Sequence, residues 1–405
     1  MIRVTSLGGS GEDSRNCFLA EIGEHTVLLD CGVRREIADV SVVYPLLTRE
    51  TAKRLDAVVI SHAHEDHTAA LPYLYELGYR GPVYASPETI ALIPSFLKKW
   101  IGYVRHNKGT LPFDHNNADR IRFLPVSEIP FPVTFGRDGH VAGGLWFRFE
   151  AEGRSLLYTG DLTCDSLVLE ADPLPEADLL VIDSAYAGKR LVQQDQYGRL
   201  LETARRVTAS GGRLLLPVPA NGRGIDMLVY LSRFGLPLYA ESDIVKNTAA
   251  LAAAKDWIRP FEMPESGYTP VNDGNRSALL VSGAPGIFLF GDGMLTSAVS
   301  AEYLAAVLPD PRSEVIISGH SAKGTPANDL LSDDFRKEYG VLAAVSRLTV
   351  KVHNDDADVL SLVSRVRPQK VMLFHSRAEA CSGLAGKLSA QGIPAVCAVG
   401  QTMAL

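Results

Sequence analysis

The stretch LDAVVISHAHEDHTAALPYL, residues 55–74, joins an apolar run, a cluster of ionisable side chains and the start of a helical pattern. LDAVVI (55–60) is typical of a buried strand, and the apolar residues after the cluster have helical spacing up to Gly78. Burying the clustered groups together costs free energy unless a cation compensates, so the cluster predicts a metal site on a strand-to-helix turn. Its members are His62, His64, Glu65, Asp66 and His67.

Length and composition limit the class of protein. A chain of 405 residues allows two or three domains, and a net charge of −7 excludes a chain-wide basic coat for nucleic acid. No run of 18 apolar residues predicts a membrane span, and the N-terminal sequence has no signal-peptide pattern. The 5 cysteines are scattered without CxxC spacing, which predicts reduced thiols. We therefore expect a soluble, cytoplasmic protein with no membrane partner.

The pattern of predicted elements changes near residue 190. The sequence before it is rich in strands, with helices expected at 68–77 and 86–104. After it, longer helices and strands alternate, which is typical of a parallel sheet. The Pro/Gly-rich stretch 263–276 predicts a loop, and short strands and helices return from about 345.

Further side chains that can bind a metal or carry a proton follow predicted strands. A single aspartate after a strand is usually a turn former. Six aspartates and histidines in such positions, together with the His/Asp cluster, indicate a functional site. Histidines and carboxylates without cysteine suit Zn²⁺ first and then Mn²⁺. The candidates exceed one tetrahedral shell, which predicts two metals of the kind that serve hydrolysis at phosphorus or carbonyl centres. The six residues are Asp30, His140, Asp161, Asp183, His353 and His375.

These motifs resemble those of the metallo-β-lactamase superfamily. SHAHEDH (61–67) matches its HxHxDH signature, and His140, Asp161 and His375 match its remaining ligands in order. Other segments are similar to the β-CASP branch, whose members hydrolyse nucleic acids. They are HEDHTAALPYL (64–74), GHVAGG (139–144), LLYTGDL (156–162), DSAYAG (183–188), GRLLLPVPANGRGIDML (212–228) and GDGMLTSAVS (291–300).

The resemblance implies an α/β fold. A metallo-β-lactamase αββα sandwich would comprise 1–188 and 345–405, and an inserted α/β β-CASP cap would comprise 189–344. It also implies two Zn²⁺ ions, with Mn²⁺ as an alternative. One ion would be held by His62, His64 and His140, the other by Asp66, His67 and His375, and Asp161 would bridge them. Asp30 would orient ligands from behind, although a simple turn role stays open.

The resemblance further implies a metal-dependent hydrolase of phosphodiester bonds, most similar to ribonucleases that cut single-stranded RNA through a di-zinc hydroxide. Catalysis would involve Asp66, Asp183 in the first β-CASP motif and His353 in the second, whose histidine protonates the leaving oxygen. His353 lies in VKVHND, which departs from the usual F-S-A-H-x-D. At the position of Asp183, RNA-cleaving members more often have Glu. At the position of His375, DNA-processing members typically have Val. The histidine weighs more because it is a metal ligand, so RNA is favoured.

Two other functions stay open: a DNA nuclease of repair or defence type, and a non-catalytic partner subunit. The second type is marked by lost ligands, and none is lost here. Arg223 matches a family GR position and would contact substrate or form a structural ion pair, and His320 and Lys323 would contact phosphate. The basic, aromatic stretch 98–108 would guide a strand or form an amphipathic helix with a solvated face. The oligomeric state stays open.

Overall fold

The computed structural model describes residues 1–259, 264–319, 321 and 324–405, and it divides the chain into two compact units. Both units are mixed α/β, which confirms the predicted class. The predicted domain limits stay a prediction. In the structure the first unit comprises Met1–Cys164, Ala171–Arg190 and His353–Leu405, and the second comprises Asp165–Glu170 and Leu191–Val352.

The elements of both units are numbered in chain order. The strands are β1 (Ile2–Gly8), β2 (Cys17–Ile22), β3 (His25–Leu29), β4 (Ala57–Val59), β5 (Pro82–Ala85), β6 (Arg122–Pro125), β7 (Val133–Arg137), β8 (Leu145–Ala151), β9 (Arg154–Tyr158), β10 (Leu179–Asp183), β11 (Arg213–Pro217), β12 (Leu238–Glu241), β13 (Thr269–Val271), β14 (Gly286–Phe290), β15 (Glu314–Ile317), β16 (Ala344–Arg347), β17 (Lys370–Phe374), β18 (Ala395–Val396) and β19 (Thr402–Ala404). The helices are α1 (Val40–Val43), α2 (Arg49–Arg54), α3 (Glu65–Thr68), α4 (Leu71–Glu76), α5 (Pro87–His106), α6 (Gln193–Ala209), α7 (Arg223–Leu231), α8 (Ser242–Ala253), α9 (Arg276–Val281), α10 (Ala298–Val307), α11 (Pro326–Asp329), α12 (Asp333–Glu338), α13 (Asp356–Val366) and α14 (Ala378–Ala390).

Two sheets form the centre of the first unit. Their strand orders are β19-β1-β2-β3-β4-β5-β6 and β18-β17-β10-β9-β8-β7. The sheets pack face to face through Phe18, whose ring centroid lies 5.6 Å from that of Tyr158 and 5.2 Å from that of Phe374. Helices α4 and α5 bury apolar side chains on the first sheet, and α13 and α14 do so on the second. This is the αββα sandwich that the sequence predicts.

Parallel strands in both sheets place the predicted site residues at strand ends. In the first sheet β3 and β4 run parallel, with Leu29 opposite Val59, so Asp30 and the histidine cluster leave the sheet on the same side. In the second sheet β10 runs parallel to both neighbours, with Asp183 opposite Phe374. Because the carboxyl ends of parallel strands lie together, side chains that follow them can converge.

The second unit has one parallel sheet, ordered β13-β12-β14-β11-β15-β16. Its central strands β11 and β14 are buried along their whole length and, apart from Arg213 at the start of β11, apolar, as expected for a sheet covered on both faces. The prediction of a loop over 263–276 is wrong at β13. That strand tolerates Pro270 because it is the last of the sheet, where a missing N–H breaks no inner ladder. Among the described residues of both units, no helix combines the length and apolar character needed to cross a bilayer.

Candidate metal centre

The histidine cluster lies on the connection from β4 to α3. The segment that follows β3 supports this connection, because the backbone N–H of Cys31 donates to the carbonyl of His67 at 2.7 Å. Gly32 permits the close approach: a Cβ at this position would lie 1.6 Å from the carbonyl oxygen of Asp66. The DCG sequence at 30–32 therefore fixes the backbone of HEDH at 64–67.

Four side chains direct donor atoms towards one point at this connection. The candidate ligand atoms of these side chains all lie within 4.8 Å of one another. The four residues are His62, His64, His140 and Asp161. Nε2 of His62 lies 2.9 Å from Nδ1 of His64 and 3.7 Å from Oδ2 of Asp161. Nε2 of His140 also lies 3.7 Å from that oxygen. Three imidazoles and one carboxylate form a set typical of Zn²⁺ or Mn²⁺ ligands.

A second group adjoins the first and consists of Asp66, His67 and His375. Nε2 of His375 lies 3.1 Å from Oδ2 of Asp66, and Nε2 of His67 lies 3.6 Å from the same oxygen. Asp161 faces this group too, with Oδ1 at 3.2 Å from Nε2 of His67 and Oδ2 at 3.5 Å from Nε2 of His375. One carboxylate thus contacts both groups.

The charge distribution fits a divalent cation. Burial lowers the pKa of His62 well below its usual value, helped by the positive charge of His67 and His64 nearby. Burial also opposes protonation of His375, but Asp161 and Asp66 outweigh it and raise its pKa to about 10. Oδ1 of Asp161 is buried, and Nε2 of His67 lies 3.2 Å from it. The carboxylates therefore require positive charge, which bound cations would supply in place of protons.

Asn16 belongs to this centre, although the sequence did not single it out. Its side-chain Nδ2 lies 2.8 Å from Nε2 of His67 and 3.3 Å from Oδ2 of Asp66. The Asn16 amide therefore contacts one candidate ligand atom of His67 and one of Asp66. The only sequence signal was its position in the opening hairpin, SRNCFL, where a polar residue precedes an apolar strand.

Asp30 is fully buried behind the centre and accepts several hydrogen bonds. They come from the backbone N–H and the hydroxyl of Ser61, both at 2.6 Å, from Nδ1 of His67 at 2.6 Å and from the hydroxyl of Tyr158. Its backbone is left-handed, with φ of 57°, and His375 has φ of 66°. Such strain in non-glycine residues is concentrated at functional sites.

His353 and Asp183 lie beside the two groups. Nδ1 of His353 lies 3.0 Å from Oδ2 of Asp183 and 3.9 Å from Oδ2 of Asp161. Asp183 is fully buried and also accepts a hydrogen bond from the backbone N–H of Ala185 at 2.8 Å. Asp355, the other residue retained from the second motif, caps α13 by accepting from two backbone N–H groups of its first turn. Asp355 therefore acts as the N-cap of this helix.

The proposed substrate contacts belong to the second unit. Arg223 starts α7 and is 8% exposed, and no salt bridge to it occurs among the described residues. Its Nε is buried without a hydrogen-bond partner in the same part of the chain. His320 and Lys323 lie outside the described residues.

The stretch 98–108 comprises the last turns of helix α5 and the turn that follows. Its largest aromatic side chain, Trp100, has a structural role. Trp100 is fully buried, and its Nε1 donates to the hydroxyl of Tyr44 at 3.2 Å. Tyr103 is covered by the guanidinium of Arg35, which lies 4.7 Å from the ring centroid. An aromatic just before the stretch is closer to the centre: the ring of Phe96 lies 5.5 Å from that of His64.

Comparisons with known proteins agree with this geometry. Residues 10–206 match the family model of the Metallo-beta-lactamase superfamily, and residues 227–330 match that of the Beta-Casp domain. The transcription termination factor FttA of Methanothermobacter thermautotrophicus is 28% identical over 92% of this chain, which spans about two thirds of that protein, 66%. An RNase J-like protein of Methanocaldococcus jannaschii is 23% identical over 93% of this chain and 92% of its own length.

A solved structure is similar in fold. It is the crystal structure of a protein of unknown function from Enterococcus faecalis V583, with a TM-score of 0.63 and 14% identity over 100% of both chains. At that identity the likeness concerns the fold alone.

Proposed function

Because this chain belongs to the metallo-β-lactamase superfamily, in its β-CASP branch, we propose that it is a metal-dependent ribonuclease that cuts single-stranded RNA. The observation that carries the proposal is the position of Asp161, which lies within 3.7 Å of His62 and His140 in one group and within 3.5 Å of His67 and His375 in the other. A carboxylate shared by two donor groups is what a two-metal hydrolytic site requires.

The proposed ligands follow the two groups. One ion would be held by His62, His64 and His140, the other by Asp66, His67 and His375, and Asp161 would serve both. The histidine-rich donor set favours Zn²⁺, with Mn²⁺ as the second choice. When bound, such a pair lowers the pKa of water and offsets negative charge on a phosphoryl oxygen.

The chain's own residues supply the remaining steps. His353 would carry a proton to the leaving oxygen, because its ring lies beside the donor groups. Its Nδ1 is held by Asp183, so Nε2 is the nitrogen available to the substrate. Asp66 would help to bind metal and to keep His375 in place through their 3.1 Å contact.

Two observations favour RNA over DNA as the substrate. The relative whose length this chain nearly matches is named as an RNase J-like protein, and His375 occupies the position at which DNA-processing members typically have valine. Asp183 favours the alternative, a DNA nuclease of repair or defence type, because RNA-cleaving members more often have Glu at this position. A non-catalytic subunit is the weakest candidate, because every predicted ligand is retained and the described residues bring them together. A ribonuclease of this kind would act in the cytoplasm.

Product analysis on denaturing gels tests the proposal. Purified protein loaded with zinc or manganese would be mixed with 5′- and 3′-labelled RNA and DNA strands of one sequence, and Asp66→Ala would be the control. We expect metal-dependent RNA products that the control lacks, and the ladder would distinguish internal from terminal cutting. Cleavage of DNA alone would reject the RNA assignment. Absence of any products with two metals bound would reject the nuclease assignment.

A further inference from the structure

Aromatic rings form a continuous row across the candidate metal centre. Each ring contacts the next, with centroid distances of 5.5, 5.2, 4.7 and 5.4 Å along the row. The row lies within the first unit, and its three inner members are histidines of the centre. In order, the rings are those of Phe96, His64, His140, His353 and Tyr186.

The two ends of the row have the same arrangement of side chains. Phe96 and Tyr186 are both half-buried, so each keeps part of its surface open to solvent. An exposed lysine accompanies each ring: Nζ of Lys99 lies 4.8 Å from the centroid of Phe96, and Nζ of Lys189 lies 5.1 Å from that of Tyr186. The same pair, a partly exposed ring and an ammonium group, thus occurs on each side of the proposed ligands.

We propose that Phe96 with Lys99 and Tyr186 with Lys189 are two nucleotide subsites that hold the unpaired bases on either side of the scissile phosphate. Each ring would stack on a base in place of the ammonium group that now lies over it, and the displaced lysine would contact a neighbouring phosphate. An open aromatic face binds any base by stacking, and an ammonium group nearby binds the strand without reading its sequence. The inference deepens the proposed function, on which it rests.

The geometry also accounts for a preference for single strands. A base that stacks on a protein ring must leave its own helical stack, which is easiest in an unpaired strand. Two such rings flanking the donor groups would splay the strand and leave the phosphate between them exposed to the reacting groups. Trp100 cannot serve in this way because it is buried.

Base stacking can be measured separately from cleavage. RNA hexanucleotides with a slowly cleaved phosphorothioate at every linkage would carry 2-aminopurine at each position in turn, and its fluorescence would be recorded on the metal-loaded protein. We expect quenching at two positions. Phe96→Leu should relieve one and Tyr186→Leu the other, each with a loss of affinity of about 5- to 100-fold. The control is Phe135→Leu, which changes an exposed phenylalanine on β7.

The lysines have a control on the same helix. Lys98 is one residue before Lys99 and therefore points about 100° away around the helix. Lys99→Gln should weaken binding and flatten its salt dependence, whereas Lys98→Gln should leave both unchanged.

Abasic substrates distinguish stacking from a structural role of the ring. Removing the base that Phe96 contacts should raise KM for the unchanged protein by the factor that Phe96→Leu produces, with kcat nearly constant. The two changes together should give no further loss. If Phe96 only supported His64, its substitution would instead lower bound metal and kcat, and the losses would multiply.

The outcomes separate the inference from the proposed function. If the protein cuts RNA while neither ring substitution alters quenching or KM, the subsites are rejected and the nuclease stands. If quenching depends on both rings but no strand is cut, the nuclease is rejected, and with it the scissile phosphate between the subsites, so that only base binding by the two rings stands. The subsites would also be rejected if Phe135→Leu relieved the quenching as much as Phe96→Leu or Tyr186→Leu does. They would be rejected as well if the protein bound no strand.

Discussion

Nδ1 of His67 donates a 2.6 Å hydrogen bond to Oδ2 of Asp30, a carboxylate with no exposed surface. Since a carboxylate only accepts, Nδ1 is the nitrogen of His67 that would keep its proton when a metal replaces the proton on Nε2. The lone pair of Nε2 is then directed towards Asp66 and Asp161, where a metal ligand is needed.

The first prediction concerns Asp30→Asn. An amide keeps the volume but cannot accept all the bonds from Ser61, Tyr158 and His67, so His67 should lose its fixed orientation. We expect metal affinity to fall about 10- to 100-fold, measured by competition with a chelator. Asp56→Asn is the control, because Asp56 accepts from the backbone N–H of Thr26 in the same unit. Unchanged affinity would mean that Asp30 is only a turn former.

The second prediction concerns Asp161→Ala. Because Asp161 contacts both donor groups, its loss should lower the occupancy of both metals, whereas His64→Ala should mainly affect one. Elemental analysis of the purified variants would report the metal per chain. Asp172→Ala removes a carboxylate that binds Arg137 at 2.6 Å and should keep full occupancy. Full metal content in Asp161→Ala would contradict the bridging role.

The third prediction concerns His353→Ala. Loss of a proton donor should lower kcat about 10²- to 10⁴-fold while metal content stays intact. Asp183→Asn should lower kcat less, because it only weakens the hydrogen bond between Nδ1 of His353 and the side chain of residue 183. A loss of metal in His353→Ala would instead identify His353 as a ligand, which its place near Asp161 and His375 would allow.

The side chains that the structure brings together could be identified from the sequence because they follow strands. A β-branched run before SHAHEDH, and Asp or His after other apolar runs, indicate strand ends that parallel pairing brings together. Asn16 could not be found in this way, since its contacts with His67 and Asp66 depend on how the loop before β2 folds back.

Helix α5 shows a second limit of sequence reasoning. Phe96 and Trp100 are four residues apart, so they lie on neighbouring parts of the helix surface. Which of them is covered depends on tertiary contacts: Trp100 packs against Tyr44, from a segment distant in the chain, whereas Phe96 stays half open beside His64. Likewise, the short apolar run ALLVSG (278–283) follows a loop and could form a strand or a helix, and helix α9 takes in its first four residues.

The fourth prediction concerns Arg223→Met in the second unit. If the buried guanidinium contacts RNA, KM should rise about 10- to 100-fold, the effect of losing a charged hydrogen bond. The melting temperature should change little, because methionine fills similar space and no described carboxylate is left unpaired. Arg213→Met is the control: this buried arginine donates to the carbonyl of Leu280 at 2.9 Å, so its loss should lower the melting temperature. The reverse pattern would assign Arg223 a structural role.

The fifth prediction concerns the thiol of Cys397. A hydrogen bond from Cys381 lowers the pKa of Cys397 to about 6, and the hydroxyl of Ser382 lies 3.5 Å from its sulfur. Only the thiolate is alkylated, so its reaction with iodoacetamide should increase through about pH 6 and level off near pH 7. An ordinary cysteine peptide should react with a midpoint near about pH 8.5. Mass spectrometry would follow each peptide, and Cys381→Ala should move the midpoint of Cys397 upwards. A midpoint near that of the reference peptide would refute the contact.

The order of the segments has a consequence for synthesis on the ribosome. The second unit interrupts the first, so His353 and His375 are made only after Leu191–Val352 has been completed. A nascent chain that ends earlier contains His62, His64 and His140 but lacks His375, a proposed ligand of the second group, and His353, the proposed proton donor. If the chain is the proposed ribonuclease, the growing polypeptide would therefore be unable to degrade the messenger RNA from which it is being translated.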